Sequence, residues 1–205
     1  MGNHNSYQTG GVRKEDDVTC DVLSHRLESC EIIGSGLFGK VVTDFNCKDH
    51  AVKVIPFHMV EDDDIVYEER EFERELEALG TVGQAGLGPK LIDAWICGDK
   101  GYIVMEKLHG VTLKEFLRKH NLTPEEQKVL QRTIGAMNSL GVIHNDLHTG
   151  NVFIVFSPKG LKFYIMDFGE SETLTNRESF DKEILHDSIQ YRLEERPAYV
   201  GLARY

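Results

Sequence analysis

No apolar run in these 205 residues approaches the roughly 20 that a helix needs to span a bilayer. The basic-then-apolar leader of a secretory signal is also missing. Positive charge is scarce: 23 Lys and Arg stand against 34 Asp and Glu, a formal net charge of -11. That balance argues against a nucleic-acid surface as the main role. Cysteine is sparse as well. Cys20, Cys30, Cys47 and Cys97 lack C-x-x-C spacing and read as free thiols in a reducing compartment, not as a disulfide frame or a zinc site. No internal repeat is visible. What the chain does have is 40% hydrophobic residues, enough for one domain or two small lobes around a core.

The opening MGNHNSYQTGGVRKEDD is polar and rich in Gly, Asn and Ser, so residues 1–22 are expected to form a flexible tail. Gly2 and Ser6 fit the acylation pattern M-G-x-x-x-[ST]. Membrane association is expected only if Gly2 is acylated, and a single acyl chain binds weakly.

Residues 30–45, CEIIGSGLFGKVVTDF, predict strand, glycine-rich turn and strand, and HAVKVI at 50–55 predicts a third strand. An acidic segment follows in which Phe72, Leu76 and Leu79 recur at helical spacing, with Gly80 placed to end the helix. KLIDAWI (90–96) and GYIVME (101–106) predict two more strands. Beyond KLHGV at 107–111 the pattern turns helical. VTLKEFLRKH is a short amphipathic helix with Thr112 as its N-cap. LTPEEQKVLQRTIGAMNSLG is a longer one, capped by Thr123, with Pro124 first, Glu126 closing a capping box and Gly141 ending it. Its stripe is Val129, Leu130, Ile134, Met137 and Leu140. NVFIVF and KFYIMDF predict a small hairpin.

Chemistry concentrates in three places. G34-S-G36-L-F-G39-K-V41 has the spacing G-x-G-x-x-G-x-V. A dinucleotide-binding turn of this type opens a helix, whereas here VVTDF, a strand pattern, follows. A glycine loop between strands can offer backbone N–H groups to phosphates, and Lys53 on the next strand can reach the α- and β-phosphates as a point charge. That lysine needs a carboxylate: Glu75 borders the buried face of the acidic helix, with Glu71 and Glu73 as rivals. Finally H144-N-D146-L-H-T-G-N151 places Asp146 five residues before Asn151, and D167-F-G169 lies sixteen beyond. Phosphoryl transfer needs a carboxylate to take a hydroxyl proton and hard oxygen ligands for Mg²⁺, roles that fit Asp146 and the pair Asn151 and Asp167. His144 reads as structural; His148 fits a contact to phosphate or substrate, or none.

Over residues 30–170 this pattern resembles protein kinases. GSGLFGKV resembles the glycine loop, with Gly34, Ser35, Gly36, Gly39 and Val41 around ATP, AVK the phosphate lysine, VMEKL the hinge, HNDLHTGN the catalytic loop and MDFG the metal motif. The resemblance implies an α+β, bilobal, protein-kinase-like fold. Its N-lobe (23–108) has five strands and one helix, and its truncated, mostly helical C-lobe spans 109–205. It further implies ATP and Mg²⁺ as cofactors. Ala51 is expected over the adenine, Met105 as gatekeeper, and the backbones of Glu106 and Leu108 at the adenine edge.

Two departures matter. Asn145 stands where most eukaryotic protein kinases carry the arginine that pairs with a phosphorylated activation loop, and His148 stands where serine/threonine kinases carry lysine. H-x-D-L-H-x-G-N is common in aminoglycoside, choline and lipopolysaccharide-sugar kinases. After DFG no A-P-E motif follows; ESETLTNRESFDKEILHDSIQYRLEERPAY predicts mainly one helix, so control by activation-loop phosphorylation is not expected. The competing readings are a minimal protein kinase, a small-molecule kinase, a pseudokinase binding module and a nucleotide-independent scaffold. The complete glycine loop and DFG favour the first. Among minimal kinases the compact chain resembles bacterial type III secreted effector kinases of the HopBF family. That resemblance implies a monomeric virulence factor secreted into the host cytoplasm, with a serine/threonine target such as the heat shock protein 90 chaperone. A housekeeping Bud-type or giant-virus kinase, cytoplasmic if not an effector, is the other minimal type.

Overall fold

The computed structural model describes residues 12–36, 39–57 and 69–173. In chain order these form β1 (Arg13–Lys14), α1 (Asp17–Glu28), β2 (Ile32–Gly36), β3 (Gly39–Thr43), β4 (His50–Pro56), α2 (Glu69–Gln84), β5 (Leu91–Cys97), β6 (Lys100–Glu106), β7 (Val111–Thr112), α3 (Leu113–Phe116), α4 (Pro124–Ser139), β8 (Val142–Ile143), β9 (Val152–Ser157), β10 (Gly160–Ile165) and β11 (Glu172–Thr173). They group into two compact units. The first holds the described residues up to Glu73 with Ile92–Met105; the second holds Arg74–Leu91 and the described residues from Glu106 on.

The first unit is built on a six-stranded sheet in the order β1-β5-β6-β4-β3-β2. Its register sorts side chains by face. Val42 lies opposite Val52, and both join Leu27, Val54, Trp95, Cys97, Tyr102 and Val104 in one apolar cluster. Since successive strand residues point to opposite faces, Val41, Ala51 and Lys53 share the other one.

The clustered face is covered by α1, which corrects the expected single helix and, from residue 13 on, the tail expected over 1–22, whose residues 1–11 lie outside the described residues. The helix starts where the Asp16 side chain accepts the Thr19 N–H at 2.8 Å. Cys20, Leu23 and Leu27, at helical spacing, pack on the sheet. Val18 and Val22 point to solvent, so the apolar signal is spread around the helix and the sequence pattern is weak. Residues 13–14 add β1 in parallel beside β5. The expectation of four free thiols is corrected too. Cys20 and Cys97 form a disulfide across 77 residues, with Cα atoms 5.4 Å apart, while Cys30 and Cys47 are free. Only the laying of α1 on β5 brings that pair together, which spacing cannot reveal.

In the second unit, α2 runs through Gly80, the expected stop, and ends at Gln84, two residues before Gly86. At that glycine the chain turns left-handed (φ +70°), and Gly86 N–H and Leu87 N–H bond the carbonyls of Gly83 and Val82. Gly83 instead permits close packing. A Cβ there would lie 2.4 Å from the Pro89 carbonyl, so the helix packs backbone to backbone on the next segment. The expected caps of α3 and α4 are present. Thr112 and Glu115, and Thr123 and Glu126, form reciprocal capping boxes, and the Thr112 N–H and hydroxyl hold the Glu115 carboxyl below its usual pKa. Leu130, Ile134 and Met137 bury the expected stripe of α4, but Leu140 at its C-cap is exposed. The β9–β10 hairpin is antiparallel, with β7 beside β9, and β11 pairs with β8. Residues 172–173 are therefore strand; the rest of the helix expected after DFG lies outside the described residues.

Candidate functional site

The glycine hairpin closes with Gly36 opposite Gly39, Ser35 opposite Lys40 and Gly34 opposite Val41; residues 37–38 lie outside the described residues. Its glycines differ in what the fold asks of them. Gly39 sits at φ +146°, and a Cβ on it would lie 2.1 Å from the Val54 carbonyl, so the fold itself demands it. Among the described residues nothing beyond its chain neighbours would lie within 4 Å of a Cβ added at Gly36, and at Gly34 an added Cβ would meet Val41 at an ordinary 3.7 Å. Among the described residues the fold therefore makes no steric demand for glycine at Gly36.

Val41 is the direct cross-strand partner of Lys53, and Thr43 that of Ala51. Ala51, Lys53 and Met105 are all buried. Lys53 keeps only 7% of its surface exposed, and a buried ammonium requires a polar partner. In the second unit Glu75 is the buried carboxylate of α2, at 2% exposure, while Glu71 is half-buried and Glu73 exposed. The Glu106 N–H donates to the Lys90 carbonyl at 2.9 Å, which leaves its own carbonyl as the group that could meet an adenine edge. Leu108 follows, half-buried, in an irregular stretch.

The catalytic-loop segment is organised almost entirely by its own residues. His144 is fully buried and bridges it: Nδ1 accepts the Asp146 N–H at 3.3 Å, so Nε2 carries the proton and donates to the Met166 carbonyl at 2.9 Å. Its ring tilts against Phe168, 5.3 Å between centroids. Leu147 and Thr149 are buried, and Asp146 and His148, which alternate with them, turn outward. The Asn151 amide donates to the Asp146 carbonyl at 2.9 Å and to Oδ2 of its carboxylate at 3.3 Å. That use of Nδ2 leaves the Asn151 Oδ1 as the atom suited to a metal. The Met166 N–H bonds the Asn151 carbonyl at 2.9 Å, tying the DFG segment to the loop. Asp167 is exposed and left-handed at φ +63°, a conformation uncommon for a residue with a side chain and concentrated at functional sites. Asn151 and Asp167 carry oxygen donors of the kind that Mg²⁺ takes, one or two from protein with phosphates and water completing its shell.

Two ties escaped sequence reasoning. Asn145 adopts φ +62° and its amide donates to the Glu170 carbonyl at 3.1 Å. Ser171, buried, donates its hydroxyl to the Phe168 carbonyl at 2.6 Å. An Asn in a left-handed turn is the one signal that could have pointed to the first.

A family model described as the protein kinase domain matches residues 27–195. The chain is 28% identical over 65% of its length to a probable serine/threonine-protein kinase of Clostridium acetobutylicum, covering 21% of that protein. It is 27% identical over 90% of its length to a probable serine/threonine-protein kinase of Corynebacterium efficiens, covering 27% of it. It is also 32% identical over 57% of its length to a probable bifunctional tRNA threonylcarbamoyladenosine biosynthesis protein of Methanococcus maripaludis, covering 20%. The chain thus spans about a fifth to a quarter of the length of these relatives.

Proposed function

We propose that this chain, which belongs to the protein kinase domain family, transfers the γ-phosphoryl group of ATP to a hydroxyl on a protein. The observation that carries the reading is the Asp146 carboxylate, outward-facing on a buried backbone and held on one oxygen by the Asn151 amide. A carboxylate so placed can take the proton of an attacking hydroxyl. Asn151 and Asp167 supply the oxygens for magnesium, which when bound neutralises charge on the phosphates. Lys53 offers its charge to the α- and β-phosphates, with Glu75 as its carboxylate. The strand-borne face of Val41 and Ala51 suits the adenine, with Met105 as gatekeeper and the backbones of Glu106 and Leu108 at its edge. The backbone at Gly34, Ser35, Gly36 and Gly39 suits the phosphates.

Serine/threonine specificity is supported by the names of the bacterial relatives. Independence from activation-loop phosphorylation is supported by Asn145, which ties the catalytic loop to Glu170 without a phosphate. The resemblance to HopBF effectors supports a monomer secreted into a host cell and makes the heat shock protein 90 chaperone the first substrate to assay. Membrane contact requires acylation of Gly2. A second reading, a small-molecule kinase, is favoured by one feature, H-x-D-L-H-x-G-N. Incubation with γ-labelled ATP, once with eukaryotic lysate and once with aminoglycosides and sugars, separates the two. Label in protein is expected; label in small molecules alone would replace the first reading with the second.

A further inference from the structure

His148 is built into the loop with more care than a bystander needs. Its Nδ1 accepts the Gly150 N–H at 2.9 Å. A Cβ on Gly150 would lie 2.7 Å from the ring's Cε1 and 3.0 Å from Nδ1, so the glycine is what lets the ring fold back over the turn. The backbone on either side is pinned by the buried Leu147 and Thr149, and the Thr149 carbonyl accepts the Lys114 N–H at 2.9 Å. With Nδ1 accepting, the proton sits on Nε2. That atom faces the Asp146 Oδ2 at 3.7 Å, the same oxygen that takes the Asn151 amide.

We propose that His148 is a positioning residue for Asp146: a ring locked by Gly150 so that its Nε2–H holds the Oδ2 oxygen and leaves Oδ1 for the substrate hydroxyl. The inference rests on the reading of Asp146 as the proton acceptor. At 3.7 Å the contact is longer than a formed hydrogen bond, and catalytic contacts commonly tighten only when substrate arrives. Once that contact tightens, two donors on one oxygen stop the carboxylate from swinging. In the reaction the hydroxyl proton moves to Oδ1, the hydroxyl oxygen forms its bond to the γ-phosphorus, and the bond to the bridging oxygen breaks with its electron pair leaving on ADP. His148, with Nε2 already protonated and Nδ1 engaged, takes no proton.

A double-variant cycle tests this, read as the initial rate of label transfer from γ-labelled ATP to protein in eukaryotic lysate. H148A is expected to lower kcat by about 10–100-fold with the KM for ATP unchanged, the scale of a misplaced catalytic group. H148Q, which keeps an N–H where Nε2 stood, recovers most of the rate. H148N, which keeps only an acceptor for Gly150, stays slow. Gly150→Ala, which evicts the ring, resembles H148A. On a D146A background, H148A adds nothing. The same fold-loss with and without Asp146, or a raised KM for ATP at unchanged kcat, would overturn the proposal and make His148 an independent contact. Loss of rate that tracks a lowered melting temperature in H148A and H148Q alike would make it merely structural. No transfer by the wild-type chain, or wild-type rates in D146A, would instead overturn the kinase reading itself.

Discussion

Around Asp146 the polypeptide supplies its own partners; beside Gly36, where a side chain would stand, no described residue fills the space. His144, Asn151 and Gly150 satisfy the catalytic loop from within, through bonds of 2.9–3.3 Å to Met166, Asp146 and His148. In the glycine hairpin, Gly39 is pressed against Val54, while among the described residues nothing would crowd a Cβ added at Gly36. A loop that must present a proton acceptor and a metal ligand at fixed positions gains from being finished before substrate binds. A hairpin that must admit a polyphosphate gains from unfilled backbone.

The largest expected effect lies on the finished side. Asp167→Ala should lower phosphoryl transfer by about 10²–10⁴-fold, the range of a lost transition-state charge partner, while circular dichroism stays that of the wild type. Transfer within two-fold of wild type would remove Asp167 from the metal site. Next comes the staple on the hairpin's unit. Reducing Cys20–Cys97, or Cys20→Ser, should cost about 2–4 kcal/mol, seen as a lower denaturant midpoint; an unchanged midpoint would show that α1 needs no covalent tie. The two glycines then separate fold from ligand. Gly39→Ala should destabilise by about 1–3 kcal/mol, because backbone must move. Gly36→Ala should leave the melting temperature alone and raise the KM for ATP. Equal melting shifts for both would erase the distinction. The smallest effect is at the α4 cap, where Thr123→Ala should cost about 1 kcal/mol by thermal denaturation and leave transfer unaffected.

Legibility in the sequence followed how local the interaction is. Thr123, Pro124 and Glu126 announce a helix start by chemistry spanning four residues, and the structure shows that start. HAVKVI announces β4 as a β-branched run, and the strand is buried on both faces through Ala51–Ile55. Gly80 misled because a glycine can end a helix or merely sit in one; Val82, fully buried, lies within α2, which runs on to Gln84. The helix α1 was hidden because Val18 and Val22 blur its apolar face. Asp146, Asn151 and Asp167 stand out as candidates by spacing and residue type alone. The ring of His148 over Gly150 could not, since two residues in sequence say nothing about which nitrogen accepts.

The central claim is that Asp146 serves chemistry, neither the fold nor nucleotide binding. ATP affinity, by calorimetry with magnesium, and γ-label transfer to lysate protein should be measured together on the wild type and Asp146→Ala. The account predicts affinities within about two-fold and a loss of transfer of about 10²-fold or more. Transfer by Asp146→Ala at the wild-type rate would contradict it.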